Sequence, residues 1–238
     1  MQAPIDGANR LRIHLSQEQV EAFRAYLESL VAERRSAALT SLAEPDAIQR
    51  RHFVESLALL RALEDAGALG ARAIDIGTGA GFPGLPIKIA RPALELTLLE
   101  ATGKKAAFLE RLVARLGLTG VTVVQARAED LARDTSHRAA YDLALARAVA
   151  PLPALVEVAL PFLRTGGYLA APKGSGAPRE VREAERALRE CGGVVELVQP
   201  LDVPRPQKAP TLVLVRKVRE TPDRFPRRAG IPFRRPLR

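Results

Sequence analysis

The 238-residue chain contains a single cysteine, Cys191, and only three histidines, His14, His52 and His137, widely separated along the sequence. One cysteine excludes an intrachain disulfide framework and a cysteine-rich zinc site, and the histidines match no metal-ligand spacing, so no metal is expected. No apolar run approaches the ~20 residues that cross a bilayer, which argues against a membrane partner. Met1 to Arg12 lacks the basic-then-apolar pattern of an export signal, so a cytoplasmic location is expected. Acidic residues are the minority: 27 Asp and Glu stand against 36 Lys and Arg, a formal charge of +9. That excess favours a polyanionic partner, with a weight that depends on where the charge lies. Apolar residues make up 47% of the chain, too many for a disordered one. The length is enough to bury a full core, and one α/β domain with extensions is the natural reading.

The stretch from Ala73 to Gly84, A-I-D-I-G-T-G-A-G-F-P-G, organises the rest. Ile74 and Ile76 read as a buried strand, and an apolar-periodic segment follows the glycines. Gly77, Gly79 and Gly81 permit a tight turn and let a ligand approach the main chain without interference from a Cβ. Strand, glycine turn and helix N-terminus together make a nucleotide-type corner. Asp75, two residues before the first glycine, would meet a pyrophosphate with an unwelcome negative charge. It suits instead a ligand with a cationic end, such as the amino group and sulfonium of S-adenosylmethionine. Glu100 closes the next apolar run, Leu96 to Leu99, where it could accept both ribose hydroxyls. The D-x-G-x-G-x-G spacing with a strand-terminal acid downstream therefore predicts a methyl-donor site. Pro83 and Pro86 fit the first turn of a helix, where no amide donor is required.

Upstream, Ser16-Gln17-Glu18-Gln19 is a capping-box start, after which Val20, Phe23, Leu27, Leu30 and Val31 recur at helical spacing. A second helix is expected from about Glu44 to Ala66 with Ile48, Val54, Leu57, Leu60 and Leu63 inward, giving an N-terminal helical cap over residues 1–70. From Arg72 the pattern alternates between strand and helix, the mark of a parallel sheet with helices on both faces. Strands are expected at 72–76, 95–99, 121–125, 141–146, 167–171, 193–198 and 211–217. Helices are expected at 82–91, 103–116, 128–133, 151–163 and 178–191. The sheet domain so defined runs over 71–218, and a basic tail covers 219–238. From Arg216 to Arg238 nine Lys and Arg stand against two acids, a net +7 of the chain's +9. Pro222, Pro226, Pro232 and Pro236 argue against regular structure there. Two readings stay open for the tail: a solubilising segment, or a strap on the core that presents arginines to a phosphate backbone.

Several stretches resemble one family. They are the glycine motif with its G-F-P-G continuation, Arg51-His52-Phe53-Val54-Glu55-Ser56-Leu57, Ala146-Arg147-Ala148-Val149-Ala150, Pro172-Lys173-Gly174, and the tail run Phe225 to Pro232. Together they look like the ribosomal RNA small subunit methyltransferase G family, also called glucose-inhibited division protein B, from about residue 38 onward. The resemblance implies a class I methyltransferase fold, a Rossmann-like seven-stranded sheet whose last strand inserts antiparallel. It implies methylation of N7 of one guanine in the 530 loop of bacterial 16S ribosomal RNA, with S-adenosylmethionine as donor and S-adenosyl-L-homocysteine as product. The RNA partner would be 16S RNA, the 30S subunit or its precursor, and a monomer is expected. Carried over by position, Gly77 and Phe82 match donor contacts, and Glu100, Ala101 and Thr102 match the ribose loop. Ala128 and Glu129 match the adenine-side pair, and Arg147 matches an arginine lining the site. Arg127 and Lys173 match basic residues near RNA or donor, and His52 matches a histidine facing the pocket. Relatives commonly carry Asn-Leu-Thr where this chain has Ala38-Leu39-Thr40, and Asp where it has Glu55.

The chemistry agrees with what is missing. Guanine N7 carries an exposed lone pair and needs no deprotonation, so orientation matters more than a strong base. There is no Asn-Pro-Pro-Tyr or Asp-Pro-Pro-Tyr box for exocyclic amines, and no cysteine pair for C5 chemistry. Arg147 and Lys173 fall at expected strand ends, the binding edge of open α/β sheets. The residues leave open a methyltransferase for another RNA, a protein or a small molecule, and a non-catalytic RNA-binding relative. A nicotinamide oxidoreductase is opposed by Asp75 and the glycine spacing.

Overall fold

The computed structural model describes residues 1–33, 39, 44–204 and 209–238. Its centre is a seven-stranded sheet in the order β3-β2-β1-β4-β5-β7-β6. The strands are β1 (Arg72–Ile76), β2 (Glu95–Glu100), β3 (Val121–Gln125), β4 (Tyr141–Leu145), β5 (Leu163–Lys173), β6 (Gly193–Pro200) and β7 (Thr211–Lys217). The first five run parallel, and β7 enters antiparallel between β5 and β6. This is the class I methyltransferase sheet. Side chains alternate between two cores, as the two-residue period of a strand requires. Ala73, Leu96, Leu98, Leu143, Leu145 and Leu214 face one core, and Ile74, Ile76, Leu99, Ala144, Leu169 and Val213 face the other.

The N-terminal helices cover the first core. They are α1 (Gln2–Arg10), α2 (Gln17–Glu33), α3 (Pro45–Ile48), a π-helical stretch (Gln49–Val54) and α4 (Glu55–Asp65). The expected capping box is formed: Ser16 Oγ accepts from Gln19 N at 3.2 Å and Gln19 Oε1 accepts from Ser16 N at 2.8 Å. The second helix buries Ile48, Val54, Leu57, Leu60 and Leu63 as expected. In α2 the inward face is Phe23, Tyr26, Ser29 and Leu30, and Val31 is 39% exposed. Leu27 packs half-buried against the same core as expected, while Tyr26 is buried where the apolar spacing had assigned Val31. Helix α1 was outside the expected elements; its Gly7 admits Val54, which a Cβ would meet at 3.0 Å. Helix α5 (Gly84–Ala90) is buried on every side because α2 and α4 lie over it. Lys88 is buried with it, and its ammonium donates to the carbonyls of Pro92 and Leu94, both at 2.7 Å.

Helices α6 (Gly103–Arg115) and α7 (Ala128–Leu131) follow β2 and β3. The second core is covered by α8 (Leu152–Ala159), α9 (Ala177–Glu183) and α10 (Glu185–Cys191). The helix expected over 151–163 ends early in a 3-10 turn, Leu160–Phe162, because Pro161 cannot continue it, and β5 begins at Leu163. The tail is docked rather than free. Phe225 and Leu237 are buried in the second core, and Arg138 donates to the carbonyls of Thr221 at 2.8 Å and Phe225 at 3.0 Å. Arg227 Nη2 meets Glu157 Oε2 at 2.6 Å, with Glu157 0% exposed. Contrary to the proline argument, Ile231–Arg234 forms one helical turn, α11, in which Pro232 occupies the first turn and needs no amide partner. No helix among the described residues is long and apolar enough to cross a membrane.

Candidate active site

The chain direction across the sheet reverses between β1 and β4, and a crevice opens at their carboxyl ends, where open α/β sheets bind ligands. Gly77 to Phe82 leave β1 on one side of it, and Arg147 to Pro151 leave β4 on the other. The resulting cleft has a volume of about 1120 Å³. It brings together Gly77, Gly79 and Phe82 with His52, Arg147 and Lys173, residues spread over more than a hundred positions of sequence.

The turn is held from beneath. Asp75 is 0% exposed; its Oδ2 accepts from Thr78 Oγ1 at 2.6 Å and from Gly84 N at 2.8 Å. A Cβ on Gly84 would come within 2.8 Å of that oxygen, so glycine is required for the contact. Asp75 Oδ1 is buried with no partner among the described residues. Burial pushes the Asp75 carboxyl up to about 6, against the lowering effect of its two hydrogen bonds. Asp75 therefore lies under the glycine turn and not on the cleft wall. Gly79 sits at φ +63°, which favours glycine, and its N–H donates to Glu100 Oε2 at 3.0 Å. Glu100 Oε1 accepts from Thr102 N at 2.8 Å, so this carboxylate ties the turn to the segment Ala101-Thr102 and keeps a further lone pair on each oxygen.

A stacked cluster around Phe82 joins the turn to the opposite wall. The His52 ring lies 4.6 Å from that of Phe82, Phe82 stacks on Tyr26 at 5.2 Å, and the Arg147 guanidinium stands 5.3 Å from the Phe82 centroid. Arg147 donates to Arg51 O at 3.1 Å and to His52 Nδ1 at 3.0 Å, and lies 3.6 Å from Glu55. These are the fixed partners that an arginine between Ala146 and Ala148 requires. Burial, then the charge of Arg147, pushes His52 down to about 3, so the imidazole is neutral and accepts at Nδ1. Lys173, the last residue of β5, donates to Ala150 O at 2.5 Å and pairs with Glu180 at 3.1 Å, its side chain 9% exposed. It anchors the loop after Arg147 as well as facing the cleft.

Other expected site residues do not line this cleft but follow the ends of β2 and β3, the strands on the side of β1 away from β4. Ala101 and Thr102 are exposed after β2, and Arg127 is exposed at the end of β3 with no ion pair among the described residues. Ala128 and Glu129 open α7; Glu129 is 3% exposed, and its Oε1 accepts from Gly230 N at 2.7 Å, joining this loop to the tail. Ala38 and Thr40 lie outside the described residues, while Leu39 lines the cleft. The sequence reading missed Tyr26, whose hydroxyl donates to Ala80 O at 2.6 Å and steadies the turn from a helix some fifty residues upstream. Only its place in the apolar periodicity of α2 could have pointed to it.

The model of the family rRNA small subunit methyltransferase G matches residues 19–207. Ribosomal RNA small subunit methyltransferase G of Roseiflexus castenholzii is 48% identical over 225 residues, covering 94% of each chain. The protein of the same name from Desulfitobacterium hafniense is 43% identical over 228 residues, 96% of this chain and 93% of that one. Among solved structures, a mutant of MtNAS in complex with S-adenosylmethionine superimposes with a TM-score of 0.56 at 16% identity, covering 84% of this chain and 76% of that one, a likeness of fold alone. With the family model spanning most of the chain and relatives matched nearly end to end, the chain belongs to the rRNA small subunit methyltransferase G family.

Proposed function

We propose that this chain methylates N7 of a single guanine in the 530 loop of 16S ribosomal RNA, with S-adenosylmethionine as the methyl donor. The observation that carries the reading is the D-x-G-x-G-x-G turn at the sheet's switch point, facing the His52, Arg147 and Lys173 wall in a chain of this family. The residues fit the donor. The glycine turn leaves its backbone open to a ligand, and Asp75 Oδ1, buried beneath the turn without a partner among the described residues, would take a water that the donor's ammonium also meets. Gly77, Gly79, Gly81 and Phe82 would hold its methionine end, Glu100, Ala101 and Thr102 its ribose, and Ala128 and Glu129 its adenine. Bound there, S-adenosylmethionine supplies an electrophilic methyl group.

The remaining work falls to orientation by the chain. N7 attacks with its own lone pair, so no side chain has to remove a proton, and a neutral His52 held by Arg147 accords with that. Arg147 shapes the pocket between donor and base. Lys173 and Arg127 meet phosphates or the guanine O6, and the exposed Arg228, Arg234 and Arg235 of the docked tail add phosphate contacts. A monomer acting in the cytoplasm on the 30S subunit or its precursor is the form proposed. The test is transfer of labelled methyl to 16S RNA and to 30S subunits from a strain lacking the gene, mapped by N7-sensitive chain cleavage. Label at one guanine of the 530 loop is expected. No label on either substrate with donor binding intact would overturn the reading.

A further inference from the structure

Adenine carries the same N7 lone pair as guanine, so a site that methylates only guanine must read another part of the base. Beside N7 guanine presents the O6 acceptor, and on its remaining edge it presents N–H donors at N1 and at the exocyclic N2. Donors taken out of water without a partner are costly, so the cleft must offer acceptors to that edge. A carboxylate with both oxygens open meets two neighbouring donors at once, and adenine, with no donor at N1 or C2, cannot use it.

Two carboxylates line the cleft, Glu55 and Glu180. Glu180 is already engaged: its Oε2 accepts from Leu152 N at 2.8 Å and from Lys173 Nζ at 3.1 Å. Glu55 is not. Its nearest cations are Arg147 Nη1 at 3.6 Å and Arg51 Nε at 3.9 Å, beyond hydrogen-bond length, and it makes no hydrogen bond among the described residues. Its side chain is 18% exposed, at the first residue of α4, in a recess of the cleft shared with Pro83, Arg147, Pro172 and Pro210. Burial raises its pKa on balance, and the two guanidiniums oppose that rise.

We infer that Glu55 is the residue that selects guanine, its two carboxylate oxygens accepting from N1–H and N2–H of the target base. The inference rests on the N7 reading above and adds to it the group that discriminates between purines. Inosine separates the two: it keeps N7, O6 and N1–H and lacks only the N2 amine. The experiment compares kcat/KM on 30S subunits reconstituted with ligated 16S RNA carrying guanosine or inosine at the target, for the wild type and for Glu55→Ala and Glu55→Asp. The wild type should prefer guanosine by about tenfold or more, the worth of one hydrogen bond to a charged group. In Glu55→Ala that ratio should collapse to within about twofold of unity, whatever the drop in absolute rate, and Glu55→Asp should restore it. A merely structural role for Glu55 would lower both substrates together and leave the ratio in place. Equal rates on guanosine and inosine in the wild type overturn the inference without recourse to any variant, as does an undiminished ratio in Glu55→Ala. Absence of label on guanosine itself overturns the methylation reading and the inference with it.

Discussion

Asp75→Asn should separate the cost of a buried carboxylate from its use. The side chain is 0% exposed, and its carboxyl is pushed from the ordinary 3.8 up to about 6. In the unfolded chain it ionises near 3.8, so between there and about 6 the folded state holds the extra proton, and stability falls as pH rises through that window. Above it both states are ionised, and the native chain carries a penalty of about 3 kcal/mol. Asparagine is nearly isosteric, and its carbonyl can still accept from Thr78 Oγ1 and Gly84 N, which now reach Oδ2 at 2.6 and 2.8 Å. Urea unfolding at pH 7 should therefore find the variant more stable by up to about 3 kcal/mol, and at about pH 3, below both pKa values, the difference should vanish. Donor binding should move the other way. If the unpartnered Oδ1 is linked to the donor's ammonium through a water, calorimetry with S-adenosylhomocysteine should show roughly ten- to a hundredfold weaker binding, the worth of a hydrogen bond to a charged group. Wild-type affinity should also rise from pH 5 to 7 as the carboxylate forms. A variant that is destabilised at pH 7 and binds with unchanged affinity would refute both halves of the reasoning.

Lys173→Ala should lower RNA methylation by about tenfold or more while the affinity for S-adenosylhomocysteine stays within about twofold, since its bonds to Ala150 O and Glu180 lie on the β4–β5 side of the cleft. Full activity would reduce the lysine to an anchor for its loop. Deleting residues 222–238 strands the buried Glu157 without Arg227 and uncovers the sites of Phe225 and Leu237, so thermal unfolding should register a loss of about 3–5 kcal/mol. By contrast, the combined R228A, R234A and R235A variant should keep its Tm, while the salt slope of its RNA binding should shrink by about 0.7 for each phosphate no longer neutralised; an unchanged slope would return the tail arginines to solubility alone. His52, pushed down to about 3, should show no imidazole titration by NMR between pH 5 and 8, and a midpoint near 6.5 would contradict its burial against Arg147.

The sequence by itself determined the elements and the corner. Alternation of two periods placed seven strands and most of their helices, because a strand buried on both faces and a helix buried on one leave different apolar spacings. Glycines where φ must be positive or a Cβ would collide are legible for the same local reason, as at Gly79 and Gly84. What the periods could not show was partnership across the chain. That Asp75 turns beneath its loop and leaves one oxygen unpaired depends on Thr78 and Gly84 closing over it. That His52 is neutral depends on Arg147 arriving from the end of β4. The proline-rich tail left two readings open, a solvated segment or a strap on the core. Its docking was decided by Glu157 and Arg138, whose charges find partners only once α8 and the loop before β4 are folded. The reason is general: periodicity records which face of an element meets the core, whereas a charge's pKa and partner are set by whichever distant segment packs against it.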